Sequence, residues 1–101
     1  MIFGRRRFAE AIERQLDLFE RDNAELLARI ESAQHVHRTA DRDEAEERYS
    51  EFLDLVELAT DELGEMRDSF AAVLDEEAAE EYAAAFDRAF RKRFPVLRAG
   101  G

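Results

Sequence analysis

Two long runs of apolar residues recur at alternating steps of four and three, and no proline interrupts either of them. The first places Ile12, Leu16, Phe19, Asn23, Leu26, Ile30, Ala33 and His37 in register, with Phe8 one turn earlier. The second places Ala45, Tyr49, Phe52, Val56, Ala59, Leu63, Met66, Phe70 and Val73 in register. Such spacing puts every member on one face of an α-helix, and strands cannot use it. The sole proline is Pro95, so nothing before it forces a helix to break.

A third segment follows, with Tyr82, Phe86, Phe90 and Phe94 at steps of four and alanines beside them. Asp41 followed three residues later by Glu44 reads as a capping box, and Asp75 reads as the cap of the third helix. Pro95 disfavours helical geometry at Phe94 and so marks the end of that helix. Helices are therefore expected over about residues 5–37, 42–73 and 76–94 of a single helical domain spanning 1–101, with residues 96–101 frayed. The expected fold class is all-α: a long antiparallel helical hairpin plus a shorter third helix, as a three-helix bundle or a dimeric four-helix-type bundle. Pairing residues whose numbers total about 82 sets apolar against apolar at every level but one, where Asn23 meets Ala59.

Composition narrows the function classes. A chain with 46% hydrophobic and 40% charged residues is too apolar for disorder and too charged to span a membrane. Cysteine is absent, which removes disulfides, thiolate metal sites and cysteine nucleophiles. The basic cluster Arg5, Arg6 and Arg7 is not followed by the apolar run of a signal peptide, so a cytoplasmic location is expected. Those arginines are expected to match acids at the start of helix three, among them Asp75, Glu76, Glu77 and Glu80. Residues 41–74 hold 12 acids against 3 bases, whereas residues 1–40 hold 7 of each. That acidic segment repels a phosphate backbone and suits a basic protein partner, so no nucleic acid and no membrane are expected.

The middle of the second helix carries apolar groups over too wide an arc for one partner helix. Leu58 stands about 160° round from Val56, and Leu55 about 100°. Leu18 and Leu27 likewise lie beside the first stripe. A homodimer is therefore expected, with Leu18, Asn23, Leu27, Leu55, Leu58 and Ala59 at its interface. Asn23 reads either as a buried amide that sets register, bonded to its symmetry mate, Thr60 or water, or as an amide at the stripe edge reaching solvent.

Chemistry-bearing patterns are sparse. Acidic pairs such as Glu62 and Glu65 sit opposite the apolar stripes, as a solvated face does, and no nucleophile motif or glycine-rich loop occurs. No enzyme activity and no cofactor are expected. His35 and His37 point about 200° apart on a helix, and His37 is expected to hydrogen-bond Tyr49 across the turn. Gly64 reads either as a point of close helix approach or as a tolerated surface residue.

In size and two-helix plan the chain is similar to the encapsulated ferritin-like proteins, although their Glu-x-x-His motif does not occur in it. That resemblance implies a metal-binding helical hairpin using Glu31, His35 and acids of helix two. The residues themselves favour a non-enzymatic protein–protein interaction or self-assembly bundle, with the ferritin-like hairpin as the alternative.

Overall fold

The computed structural model describes residues 7–100, and among them the chain is all-α. Helix α1 spans Ala9–Asp22, α2 Ala24–Arg38, α3 Arg42–Ala71 and α4 Glu76–Arg93, and a 3-10 helix, η1, spans Pro95–Gly100. None of these helices is long and apolar enough to cross a membrane.

The single first helix expected from the heptad stripe is two helices that meet at Asn23. Its backbone sits at φ −120° and ψ 25°, off the helical basin. Both the Asn23 N–H (2.9 Å) and its side-chain Nδ2 (3.1 Å) donate to the Phe19 carbonyl. A short amide that competes for its own backbone distorts the turn it sits in. The ladder nevertheless carries through the joint, because Leu27 N–H donates to the Asn23 carbonyl at 2.9 Å. The side-chain bond that Asn23 makes is thus local, to the carbonyl one turn before it, and not to Thr60.

Residues 39–41 turn the chain back, and α2 packs along α3. Thr39 Oγ1 closes α2 by donating to the His35 carbonyl at 3.0 Å. Asp41 has the extended geometry of a cap but makes no side-chain cap bond. The capping box is not formed, because the Glu44 carboxylate that should reach back is bonded to Arg48 at 3.0 Å. Asp75, in contrast, caps α4, its carboxylate accepting the Ala78 N–H at 2.8 Å.

Helix α4 packs on α3 and α1 and stops just before Pro95. The chain after it is not frayed. Leu97 N–H donates to the Phe94 carbonyl at 2.9 Å, and the Leu97 side chain is only 2% exposed against α3 and α4. An isolated leucine flanked by valine and arginine carries no periodicity, which is why the sequence alone placed it in a tail.

The core is one cluster running from Phe8 through Ile30, Phe52, Val56, Leu63, Tyr82 and Phe86 to Leu97. Its α4 end is aromatic: Tyr82 stacks on Phe70 at 4.5 Å and meets Phe8 edge-on at 5.4 Å, while Phe94 meets Phe19 at 5.6 Å. At 18 residues α4 is about 27 Å long, against about 45 Å for the 30 residues of α3. It therefore covers only part of the α3 length. The result is elongated, 50 × 22 × 22 Å, with a radius of gyration of 15.7 Å. A compact chain of this length would have about 13 Å.

Candidate interaction face

Helix α4 and η1 both lie on one side of the pair formed by α1 and α2 with α3. On α3, the residues Thr60, Gly64 and Arg67 lie about 20° to 80° round from Val56 in one sense. These share a groove with Asp87 and Phe90 of α4 and with Leu97 of η1. Arg67 Nη1 closes it with an ion pair to Asp87 at 3.0 Å. Asp68 first and then Asp87 stabilise the Arg67 guanidinium and raise its pKa above the ordinary arginine value.

Helix α1 meets α4 on the matching side. Ala9, Ile12, Glu13 and Leu16 line a groove with Ala85 and Ala89, and Arg93 bonds Asp17 at 2.6 Å and Glu20 at 2.7 Å. Asp17 is the main reason that the Arg93 guanidinium is held above its usual pKa. The basic end of α4 thus lies beside acids of α1, as the antiparallel plan requires. Arg7 lies 5.2 Å over the Phe8 ring, while Arg5 and Arg6 fall outside the described residues.

Among the described residues the opposite side has no such cover. Leu55, Leu58 and Met66 lie about 80° to 160° from Val56 in the other sense. On α1, Ala11 and Leu18 line a shallow groove together with Phe70 of α3. Among the described residues the exposed large hydrophobics are Leu18 at 42%, Val36 at 44%, Tyr49 at 42%, Leu58 at 57% and Val73 at 81%. By helical angle Leu18, Val36 and Leu58 fall on the uncovered side, while Val73 lies in the turn between α3 and α4. Tyr49 sits at the turn end of the hairpin, its ring 5.0 Å from that of His37. The two rings pack together, but among the described residues the expected hydrogen bond between His37 and Tyr49 is not formed.

The six residues read from sequence as an interface do not form one patch. Leu18, Leu55 and Leu58 share the uncovered side, the first and last exposed and Leu55 half-buried. Leu27 is half-buried on the covered side, against Pro95 and Val96. Ala59 is 0% exposed and belongs to the internal core, so it has no surface to offer a partner. Asn23 is half-buried and bonded to Phe19. Met66, Phe70 and Val36 are the additions; they belong to the stripes or their edges, and only the position of α4 reveals which edge stays open.

Charge is distributed unevenly around that face. Glu47, Glu51, Asp54, Leu58, Asp61, Glu65 and Asp68 recur at four–three spacing along the back of α3, and all are exposed. Arg48 takes Glu51 at 3.1 Å and Arg67 takes Asp68 at 2.9 Å. The outer edge of α1 and α2 instead carries Arg14, Arg21 and Arg29 against the two acids Asp22 and Glu25, all exposed, and so is basic by a single charge. Arg21 touches only its neighbour Asp22, at 3.3 Å, among the described residues.

Glu31 and His35 are both exposed. No group of three or more His, Asp or Glu side chains among the described residues is arranged to hold a metal ion. Comparison with protein-family models, with curated proteins and with solved structures gives no match, so the functional reading rests on this geometry alone.

Proposed function

We propose that the chain is a non-enzymatic protein–protein interaction or assembly module. Its hairpin fills one side from within, using α4 and η1, and offers the other side to a partner. In this reading the α1, α3 and α4 end is a three-helix bundle, and the α2–α3 end is a two-helix extension that a partner completes.

The observation that carries it is the exposure of Leu18, Val36 and Leu58, which by helical angle lie on the side away from α4. Scattered surface leucines need no explanation, but apolar groups gathered on one side and rimmed by charge mark a docking surface. The accessible surface of 7241 Å² agrees. A compact monomer of this mass would expose about 5,900 Å².

The test is the paired substitution Leu18→Glu with Leu58→Glu, read by chemical denaturation in dilute solution. If the face serves a partner, folding stability changes by less than about 0.5 kcal/mol, as for an ordinary surface site. A loss above about 2 kcal/mol would assign both leucines to the internal core and remove the reading.

The acidic back of α3 favours a second occupant of the same class, a basic helical protein segment lying along Glu47, Asp54, Asp61 and Glu65 with Leu58 as its apolar contact. Salt separates the two. Binding of a basic segment weakens steeply as ionic strength rises toward about 1 M, whereas apolar docking does not.

A further inference from the structure

The two rims of the uncovered side differ in sign, and we infer that a second copy of this chain closes it. The two copies are related by a twofold axis parallel to the helices, so that α1 and α2 of each lie against α3 of the other. This rests on the docking reading above and names its occupant.

The size of the face fits a stable dimer. An outline of 50 by 22 Å provides a side large enough for the roughly 800 Å² that each partner of a standard interface buries.

Charge then selects the arrangement. Two hairpins can meet face to face with the twofold axis along the helices or across them. An axis across the helices sets α3 on α3 and brings one acidic rim against another. An axis along the helices sets unlike helices together, so the arginine rim of α1 and α2 meets the acidic rim of α3 twice.

Level along the bundle makes the contacts specific. His37 lies beside Tyr49, and Phe70 shares a groove with Ala11 and Leu18, so residues whose numbers total roughly 80 to 88 stand at about one height. A twofold axis along the helices preserves height. Arg21 of one copy then faces Glu62 of the other, Arg29 faces Glu51, and Leu18 packs on Met66. Each ion pair is formed twice, as an isologous interface demands. Arg21 and Glu62 are both exposed, and in the dimer Arg21 turns from its own Asp22 toward Glu62, while Glu51 shares its carboxylate between Arg48 of its own helix and Arg29 of the partner copy.

The experiment is solution molar mass by light scattering over a roughly hundredfold range of concentration, since dimerisation follows mass action. Wild-type protein should approach twice 11.7 kDa. Arg21→Glu with Arg29→Glu should weaken the dimer at least about tenfold, with helical content unchanged by circular dichroism. Adding Glu51→Arg and Glu62→Arg to the same chain should restore self-association. That fourfold variant should refuse to pair with wild-type chains.

Wild-type protein that stays monomeric overturns the inference. So does a fourfold variant that prefers wild-type chains, because only the α3-on-α3 arrangement allows that. A monomeric wild type that tolerates Leu18→Glu with Leu58→Glu removes the second copy but leaves the docking reading standing, so the two failures are distinguishable.

Discussion

Tyr82 donates its phenolic hydrogen to Gln15 Oε1 across 2.6 Å and so joins α4 to α1 inside the core. The Tyr82 side chain is fully buried, with its ring on Phe70 and its edge at Phe8. Burial of the ring raises the phenol pKa, and the Gln15 bond and the Arg67 charge oppose that rise only in part.

Tyr82→Phe keeps the ring and removes the bond, and should cost about 1 kcal/mol. The same residue sets a pH dependence. Its folded pKa lies above the unfolded value, so the folded state holds the proton longer. Stability from this group is complete below about pH 10 and is lost as pH rises through the folded pKa. Urea titrations from about pH 8 to 11 should show wild type weakening on the alkaline side, and Tyr82→Phe should flatten that slope.

Leu97 is the anchor of η1. Leu97→Ala should lower stability by about 2 to 4 kcal/mol, the range for emptying a buried leucine site. Arg98→Ala, next to it and exposed, should change stability by less than about 0.5 kcal/mol. Denaturation midpoints of the two variants separate a packed strap from a loose tail.

Gly64 sits inside α3, and a Cβ added there would meet only Arg67 Nη2, at 3.7 Å. That is ordinary van der Waals contact, so no close helix approach requires glycine here. Gly64→Ala should stabilise the protein by about 1 kcal/mol through helix propensity, raising the melting temperature by about 4 to 8 °C. Differential scanning calorimetry measures it directly.

The physics that was legible in the residues was local. Four–three spacing named Ile12, Leu16, Phe19, Ile30, Phe52, Val56, Ala59 and Leu63 as one face of each helix, and all are buried. Asp75 capped its helix, and the residue before Pro95 ended it, because both effects act within one turn of chain. Asn23 shows where that reading strains: the stripe placed it correctly, but its amide found its nearest acceptor, Phe19, rather than a distant one. The Asp41 box failed for a similar reason, since Arg48 lies one turn on and attracts the Glu44 carboxylate.

The candidate face was half legible. Leu18, Leu55 and Leu58 stood out as apolar groups off the stripe, yet so did Leu27, which η1 covers from the other side. The bond from Tyr82 to Gln15 had no signal at all, because it links residues 67 positions apart. Periodicity determined which helical face is buried, since that depends on spacing within a single helix. Which flank of the hairpin α4 and η1 would cover, and hence which stays open, was decided only by tertiary packing, where Tyr82, Arg67 with Asp87, Arg93 with Asp17, and Leu97 act together across the chain.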